Sequence, residues 1–324
     1  MDLPIFEKKN VVVTGGAGFI GSHLTEKLVG LGHEVTVVDN LSHFELDNLT
    51  SVKSKVNLLK INLEDAEALD KAIEGQDYIF HLAANTSVNN SLLKPSWSAG
   101  QNTINTVRIL EFAAKHKVKR VMFSSSAAIY GYCKELPLKE SASITPVSPY
   151  ALEKLTCENY MKLFAQIYKL DTVSLRYFNV YGPRQNADAP HPGGVTIVVR
   201  QLIQDGKSQL MGDGMQTRDM IYVDDVVSAN ILAMQKKTPC GGAVFNVSTN
   251  TTVTVAGMHD KISKIMNMPA AREHIEFPEG NVVHSQGDNT LIKKELGFKP
   301  EVSLDEGLKK TIDWCRENMK WTRK

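Results

Sequence analysis

Apolar residues near the start of the chain follow a pattern of strand, turn and helix. The β-branched run Val11–Val13 predicts a buried strand, and glycines follow it directly. After the glycines, apolar residues recur at helical spacing at Ile20, Leu24, Leu28 and Leu31. The first forty residues therefore predict a strand that enters a helix through a tight turn.

Strand-like runs and helical patterns then alternate along the chain. Further strands are predicted at 34–39, 56–59, 77–82, 118–123 and 172–177. Helices are predicted between them at 66–73, 96–115 and 149–169. This alternation indicates an α/β fold, a doubly wound parallel Rossmann sheet with helices on both faces. Because such sheets bind ligands at the carboxyl ends of their strands, residues that finish the strands are the candidate site.

The local composition changes after Asn179, where prolines and glycines separate shorter predicted elements. We expect a second, smaller α/β lobe there that binds the substrate. The predicted boundary assigns residues 1–178 to the Rossmann domain and residues 179–324 to the second domain. A strand-like stretch at 220–223 and the apolar stripe behind it predict that the chain returns to the first domain near 220–248.

Composition argues against some classes of binding partner and favours one cellular compartment. The 324 residues include 37 basic and 36 acidic side chains, and a formal net charge of +1 argues against a nucleic-acid partner. The four cysteines show neither metal-ligand nor paired spacing, which favours a reducing cytoplasm. The first residues lack the features of a leader, and no apolar run is long enough to cross a bilayer. We therefore expect a cytoplasmic protein with no membrane partner.

The glycines after the first strand are typical of dinucleotide binding. Gly15 suits a tight turn, Gly18 lets a diphosphate approach the helix N-terminus, and Gly21 permits close packing of the helix. Such spacing also occurs in ordinary loops. The second strand, however, closes on Asp39, placed to accept hydrogen bonds from an adenosine ribose. A carboxylate there would repel a 2′-phosphate, so the sequence favours NAD over NADP.

Tyr150 and Lys154 lie four residues apart near the start of a predicted helix and so share one face. The ammonium is expected to lower the phenol pKa from its usual value of about 10 toward neutrality and make Tyr150 a general base. A surface pair at this spacing is the alternative interpretation. Ser126 favours the catalytic one, because it follows the preceding strand and its hydroxyl could bond both a substrate oxygen and Tyr150.

Several motifs occur together and in a fixed order. They are the stretches 14–21, 39–41, 81–84, 124–131, 176–182 and 218–225, with Tyr150 and Lys154 between the fourth and the fifth. In these the chain resembles the extended short-chain dehydrogenases/reductases of the NAD-dependent epimerase/dehydratase family. It is most similar to the UDP-glucose (UDP-N-acetylglucosamine) 4-epimerases. The resemblance covers nearly the whole chain, so it is far more specific than any one motif.

The resemblance implies roles for the matching positions. The expected catalytic residues are Ser126, Tyr150 and Lys154. The expected NAD-binding residues are Gly15, Gly18, Phe19, Ile20, Gly21, Asp39, Asn40, Asn62, Leu63, Leu82, Ala83, Ala84, Asn102, Ser124, Tyr150, Lys154 and Tyr177. The expected substrate-binding residues, for a UDP-sugar, are Ser87, Ser126, Asn179, Gly194, Val195, Arg218 and Ser285. No metal is implied, and His81 at the end of an apolar strand is interpreted as a core histidine.

Two positions depart from the family's pattern. Asn62 replaces the aspartate that is usual beside the adenine, and it can hydrogen-bond but carries no charge. Pro278 stands where an arginine commonly helps to clamp the diphosphate, and Arg272 is a candidate substitute.

The implied activity is reversible C4 epimerisation of a UDP-hexose through a 4-keto intermediate, with tightly bound NAD. Related 4,6-dehydratases carry an acid pair just after the serine or threonine, and UDP-sugar-acid decarboxylases carry a glutamate there. This chain has Ala127 and Ala128 at those positions. Both activities stay as alternatives within the superfamily. An alternative of another class is a non-catalytic NAD-binding regulator on the same fold.

The resemblance also bears on the substrate and on assembly. Ser285 occupies the position where members restricted to glucose and galactose carry a tyrosine. A serine leaves room beside the sugar's C2 substituent, which predicts use of UDP-N-acetylglucosamine and UDP-N-acetylgalactosamine alongside the plain hexoses. The helices near 96–115 and 149–169 would form a four-helix interface, so a homodimer is expected.

Overall fold

The structure, a computed structural model, describes residues 7–42, 46–133, 135–187, 193–276 and 282–321. Its strands are β1 Asn10–Thr14, β2 Glu34–Asp39, β3 Val56–Lys60, β4 Tyr78–His81, β5 Arg120–Ser126, β6 Thr172–Tyr177, β7 Asn179–Tyr181, β8 Ser208–Met211, β9 Thr217–Arg218, β10 Met220–Tyr222, β11 Ala243–Val247, β12 Val253–Thr254 and β13 Arg272–Ile275. Its α-helices are α1 Phe19–Gly30, α2 Ala66–Ile73, α3 Val88–Leu93, α4 Pro95–Ala99, α5 Asn105–Lys115, α6 Pro149–Ile167, α7 Gly194–Asp205, α8 Val223–Gln235, α9 Val255–Met266, α10 Thr290–Leu296 and α11 Leu304–Asn318.

A seven-stranded sheet in the order β11-β6-β5-β4-β1-β2-β3 organises the first part of the chain. β1 pairs in parallel with β2 on one side and with β4 on the other. The pairs β2–β3 and β4–β5 are also parallel. This order confirms the predicted doubly wound Rossmann fold. Because the strand order reverses beside β1, the carboxyl ends of β1 and β4 border the crevice where such folds bind ligands.

The apolar run that predicted β1 is buried on both faces of the sheet. Val11, Val12 and Val13 are each 0% exposed. Val12 belongs to a core cluster that includes Ile109 of α5 and Met161 of α6. A strand covered by helices on both faces has no polar side to present, which explains why its sequence shows no alternation.

Helix α6 is anchored to the sheet by a buried ion pair. The Glu158 carboxylate accepts hydrogen bonds from Arg176 Nη2 at 2.7 Å and Arg176 Nε at 2.9 Å, and both side chains are 4% exposed. Its Oε1 also accepts from the Ser125 hydroxyl at 2.6 Å. These bonds join α6 to β6 and β5 together, and they fix which residues of the first turns of α6 meet the carboxyl end of β5.

The single helix predicted at 96–115 is interrupted. α4 ends at Ala99, a π-helical turn spans Gly100–Ile104, and α5 then begins at Asn105. The extra residue in a π turn widens the helix and is common at functional sites. Other boundaries differ by a few residues from the prediction. The largest shift is in β5, which continues through three serines to Ser126.

The described chain divides into two compact units. The first contains residues up to 129, 148–176 and 227–245, and the second contains 130–147, 177–226 and 246 onward. This differs from the predicted boundary, which put 130–147 in the first domain. Leu138 explains the difference, because its amide donates to the Gln286 carbonyl at 2.8 Å and its carbonyl accepts from Asn246 Nδ2 at 2.8 Å. Sequence spacing carries no signal for such distant bonds.

The second unit is built from short pairs of strands and from helices. β7–β10 and β8–β13 pair in parallel, and β9–β12 are antiparallel. The strand predicted to return to the first domain at 220–223 instead pairs with β7, and the return begins at residue 227. Within the described ranges, no helix combines the length and the apolar character that crossing a bilayer requires.

Candidate active site

The turn after β1 and the first turn of α1 each have one position with room only for glycine. Gly15 has a φ of +69°, and an added Cβ would lie 2.7 Å from the Ala83 amide nitrogen. A Cβ on Gly21 would lie 2.0 Å from the Gly15 carbonyl oxygen. Both contacts are too close for any larger residue. The turn, the first turn of α1 and the segment after β4 are thus packed backbone against backbone.

The amino end of α1 is shaped to receive an anion. The helix begins at Phe19, and its N-cap, Gly18, makes no side-chain hydrogen bond to the first amides. The free amides of a first turn and the helix dipole favour a phosphate group. Asp39 at the end of β2 accepts from the Ala17 amide at 3.0 Å and from the Leu41 amide at 2.9 Å. The carboxylate is therefore held beside the glycine turn, and the cradle fits the diphosphate and ribose of NAD.

The other positions expected along the cofactor lie near the same edge. Asn40 Nδ2 donates to Asn62 Oδ1 at 2.9 Å, so the two amides that follow β2 and β3 are joined. Leu63 packs against the core cluster. The amides of Leu82 and Ala83 donate to the Thr14 carbonyl and hydroxyl at 3.1 and 3.3 Å. Ala84 follows them and is partly buried.

His81 is a satisfied core histidine, as its sequence context indicated. Its ring lies 2.8 Å from the Thr14 hydroxyl and 3.0 Å from the Thr106 hydroxyl, and it is 1% exposed. Burial and the nearby Lys154 ammonium lower the pKa of His81 to about 3. The ring is therefore neutral at physiological pH and does not act as a proton donor.

Two residues expected to contact ligands have side chains that bond to the protein. The Ser87 hydroxyl caps α3 by accepting from the Asn90 amide at 3.1 Å, and Ser87 is 4% exposed. The Asn102 amide bonds to both backbone groups of Asn85 and to Glu153, and Asn102 is 3% exposed. Position in a motif does not fix the direction of a side chain, and both of these side chains are bonded within the protein.

The structure brings Ser126, Tyr150 and Lys154 together within the first unit. The Ser126 hydroxyl lies close enough to the Tyr150 phenol to act on its pKa, and Ser126 Oγ accepts from the Ala128 amide at 3.2 Å. Lys154 Nζ lies 5.9 Å from the centre of the Tyr150 ring and donates to the Ser124 carbonyl at 2.7 Å. Phenol, hydroxyl and ammonium thus meet at the carboxyl end of β5, where ligands bind this fold.

The expected lowering of the phenol pKa by Lys154 is wrong for this structure. Burial raises the pKa of Tyr150, and the negative charge of Glu153 raises it further, while the Ser126 hydroxyl acts in the opposite direction. Burial also lowers the pKa of Lys154 to about 8. Desolvation therefore dominates at both groups, and the buried Lys154 ammonium donates to the Ser124 carbonyl rather than to the phenol.

In the second unit, an arginine lies without a carboxylate partner among the described residues. Arg218 Nη1 donates to the carbonyls of Thr217 and Val283 at 2.8 and 3.0 Å, and burial lowers its pKa. Asn179 is nearby in the fold, because its amide groups donate to the Asp219 carbonyl at 2.9 and 3.1 Å. A charged guanidinium beside amide groups is suited to an anionic ligand such as a diphosphate.

Ser285 lies beside β9, the strand that contains Arg218. Its amide donates to the Thr217 carbonyl at 3.2 Å, next to Arg218 in the chain, and its side chain is partly buried. The pair Gly194–Val195 begins α7, whose N-cap Gly193 makes no side-chain hydrogen bond. Val195 is fully buried, so only its backbone is available to a ligand. Tyr177, which ends β6, is 7% exposed and belongs to the second unit.

Two positions near the C-terminus, Pro278 and its candidate substitute Arg272, concern the expected clamp on the diphosphate. Pro278 lies outside the described residues. Arg272 pairs with Asp260 and donates to the Ala256 carbonyl at 3.3 Å, so its guanidinium is already bound within the second unit. The described ranges hold no group of three or more metal-ligating side chains.

Sequence reasoning missed two buried carboxylates. Asp219 is 0% exposed and accepts from the backbone amides of Thr249, Asn250 and Gly287. It thereby binds two loops of the second unit, at 249–250 and at 287, beside Arg218. Glu153 is 6% exposed and lies between Tyr150 and Lys154 on α6. Their signal was a carboxylate directly beside a predicted functional residue on a segment expected to be buried.

Comparison with known proteins agrees with this fold. The profile of the NAD dependent epimerase/dehydratase family matches residues 11–248. The UDP-glucose 4-epimerase of Thermotoga maritima, solved with UDP-glucose, has a TM-score of 0.91 and 38% identity, over 96% of this chain and 100% of that one. The UDP-N-acetylglucosamine 4-epimerase of Methanobrevibacter ruminantium, solved with UDP-N-acetylmuramic acid, has a TM-score of 0.92 and 36% identity, over 97% of this chain and 100% of that one.

A protein compared by sequence alone supports the same family. The UDP-glucose 4-epimerase of Mycolicibacterium smegmatis is 36% identical over 312 residues, which is 94% of this chain and 98% of that protein. Fold and site together define an NAD-dependent enzyme of the short-chain dehydrogenase/reductase type. The chain belongs to the NAD-dependent epimerase/dehydratase family, and NAD is its cofactor.

The buried ammonium predicts a specific pH dependence of stability. Below pH 8, Lys154 is charged in both the folded and the unfolded chain, and its burial opposes folding by about 3 kcal/mol, because its pKa falls from 10.5 to about 8. Between pH 8 and 10.5 only the unfolded chain keeps the proton, so this penalty declines. Lys154→Met should therefore differ most from the parent below pH 8.

Urea unfolding of the NAD-depleted protein between pH 7 and 9.5 measures this difference. The free energy of unfolding of Lys154→Met, relative to the parent, should stay level up to about pH 8 and then fall. A relative stability that stays constant or rises across this range would contradict the buried-charge explanation.

Proposed function

We propose that the chain is a UDP-hexose 4-epimerase. It would interconvert UDP-N-acetylglucosamine and UDP-N-acetylgalactosamine, and also UDP-glucose and UDP-galactose. The observation that carries the proposal is the grouping of Ser126, Tyr150 and Lys154 at the carboxyl end of β5, followed by Ala127 and Ala128. The alanines provide no acid or base for the elimination that a 4,6-dehydratase performs. The 4-epimerases among the relatives support the same activity.

The protein's own groups divide the proton chemistry between them. Tyr150 takes the proton from the sugar 4-hydroxyl as a general base and returns it after the sugar has turned over. Ser126 bonds the phenol and the substrate oxygen, and so holds the 4-position at the base. When bound, NAD would supply reversible hydride exchange at C4 of the sugar, and its positive nicotinamide would favour the tyrosinate form of Tyr150. The Lys154 ammonium donates to the Ser124 carbonyl and so stays next to the base.

The residues that would hold NAD lie along the first unit. The glycine turn and the first amides of α1, through Phe19 and Ile20, receive the diphosphate, and Asp39 with Asn40 receives the ribose. Asn62 and Leu63 flank the adenine. Leu82, Ala83, Ala84 and Ser124 line the strand ends, and Lys154 binds the nicotinamide ribose. Asn102 supports the segment after β4, and Tyr177, at the end of β6, is the remaining position that the resemblance assigns to NAD.

The residues that would hold the UDP-sugar lie mainly in the second unit. Arg218 bonds only to carbonyl oxygens among the described residues, so its charge can pair with the diphosphate. Asn179 and the backbone of Gly194–Val195 add hydrogen bonds. Ser87 would act through its place at the start of α3, and Ser285 would lie beside the C2 substituent of the sugar.

Removal of one phenol oxygen tests the activity directly. Tyr150→Phe should reduce turnover of UDP-glucose by at least about a thousandfold, because the general base is lost. Bound NAD should remain, since the cofactor is held mainly by other residues. Product separation after incubation measures the first effect, and absorbance of NAD released on denaturation measures the second.

Activity of Tyr150→Phe within tenfold of the parent would refute the role of this residue. If the parent retained NAD but converted no UDP-, dTDP- or GDP-sugar, the chain would instead be a non-catalytic NAD-binding regulator. A panel of these nucleotide sugars therefore decides between enzyme and regulator.

Sugar selectivity depends on the size of one side chain. Ser285→Tyr should lower kcat/KM for the N-acetyl pair by roughly a hundredfold or more and affect the plain hexoses much less, because the ring would occupy the space of the acetamido group. Ser285→Ala is the matched control and should change both pairs by less than about fivefold. Equal loss on both pairs in Ser285→Tyr, or a parent without N-acetyl activity, would contradict this assignment.

A homodimer through two helical segments completes the proposal. Large apolar side chains on α4, the π turn and α6 are 43–61% exposed in the single chain: Trp97, Ile104, Leu152, Leu163 and Ile167. Exposed apolar surface of this kind is typical of a protein interface. Sedimentation velocity at micromolar concentration should show a dimer, and a monomer there would exclude this assembly.

All four cysteines are free thiols, which suits the proposed cytoplasmic location.

A further inference from the structure

A buried carboxylate joins α6 to the segment that follows β4. Glu153 Oε2 accepts from Asn102 Nδ2 at 2.5 Å and from the Ser98 hydroxyl at 2.9 Å. The Asn102 amide is in turn bonded to both backbone groups of Asn85, with Oδ1 to the Asn85 amide at 2.8 Å and Nδ2 to its carbonyl at 3.0 Å. The Asn85 side chain closes the network by donating to Ser98 Oγ at 3.0 Å.

The side chains of this network are buried, and the hydrogen-bonding groups of the Asn102 amide are all used. Ser98, Asn102 and Glu153 are 0%, 3% and 6% exposed. Both hydrogens of the Asn102 amide are used, one on Asn85 and one on Glu153, and its oxygen accepts from Asn85. The amide therefore has a single orientation in which all its groups are satisfied, and the Glu153 carboxylate selects that orientation.

Burial of this carboxylate is unfavourable, which indicates a specific role. Its second oxygen, Oε1, is buried and has no hydrogen-bond partner among the described residues. A buried charge that is only partly bonded lowers stability relative to an apolar side chain of similar size. The charge also raises the pKa of both Tyr150 and Lys154. Glu153 therefore affects the residues on either side of it in α6 as well as the opposite segment.

We propose that Glu153 is a positioning residue that acts through Asn102 to hold the cofactor-facing segment 82–87 in register with the turn of α6 that carries Tyr150 and Lys154. The inference rests on the proposed function, since it takes these two residues as the catalytic pair. The Asn102 side chain is the link, because the carboxylate touches its amide and the amide touches the backbone of Asn85. Loss of the acceptor would free the amide to rotate and would let the segment shift against the base.

Two substitutions at the same position test the link. In Glu153→Gln the side-chain carbonyl can still accept from Asn102 and Ser98, whereas in Glu153→Ala no acceptor remains. With UDP-glucose and the NAD-bound enzyme, Glu153→Ala should lower kcat roughly ten- to a hundredfold with KM changed less than about threefold, because small displacements of reacting groups cost rate more than affinity. Glu153→Gln should restore kcat to within about threefold of the parent.

Two further variants complete the design. Asn102→Ala should match Glu153→Ala, and the double variant should lose no more than either single one, because both remove the same link. Glu64→Ala is the matched control, because Glu64 is an exposed carboxylate that accepts from Gln101, the neighbour of Asn102 in the π turn. Its kcat should equal that of the parent.

Amide hydrogen exchange of the segment 82–87 gives a readout that does not depend on turnover. Exchange there should accelerate in Glu153→Ala and Asn102→Ala, and should match the parent in Glu153→Gln and Glu64→Ala. If the parent converted no nucleotide sugar, the proposed function would fail, while this exchange pattern would still support the link.

Three results would overturn the inference. One is a kcat of Glu153→Ala within threefold of the parent. Another is unchanged exchange of the segment 82–87 in Asn102→Ala, which also decides the matter if Glu153→Ala does not fold. The third is additive loss of kcat in the double variant, since independent effects would show that the two side chains do not act through each other.

Discussion

The buried ion pair between Arg176 and Glu158 sets the position of helix α6 against the sheet. A helix that carries a phenol and an ammonium in its first turns must be fixed in both rotation and translation if those groups are to meet the end of β5. The guanidinium fixes both, because it binds the carboxylate through two nitrogens, and the Ser125 hydroxyl adds a third bond. Loss of one partner would leave the other charged and buried, which is strongly unfavourable.

The first unit keeps several polar groups where water cannot reach them. Lys154 has a carbonyl and an aromatic ring as its nearest partners, with Nζ 4.7 Å from the centre of the Phe123 ring. Buried charged side chains such as Lys154 and Glu153 each lower the stability of the folded protein relative to an apolar residue. Together they set the electrostatic field at Tyr150, the proposed base. Such a site trades stability for function, which is a common compromise in enzymes. The tightly packed glycine turn, in contrast, adds rigidity without buried charge.

Local spacing predicted the parts of the site that depend on local geometry. Gly21 follows from a contact with the Gly15 carbonyl six residues earlier, Gly15 from the positive φ of the turn, and Tyr150 with Lys154 from helical periodicity. The sequence could not predict the pKa of Tyr150, because it depends on burial by residues from several elements. The inward direction of Asn102 was equally hidden, since it depends on a π turn and on bonds to Asn85 and Glu153. The assignment of 130–147 to the second unit depends on hydrogen bonds to residues more than a hundred positions away.

The path of the chain through its two units has a consequence for biosynthesis. The last strand of the Rossmann sheet, β11, is formed by residues 243–247, so about three quarters of the chain must be made before that sheet can be completed. The nascent chain passes into the other unit at 130 and at 177 before it returns at 227. The first unit therefore cannot be completed as an N-terminal module before most of the chain has been made. For the same reason, recombination cannot exchange one unit between relatives by a single crossover.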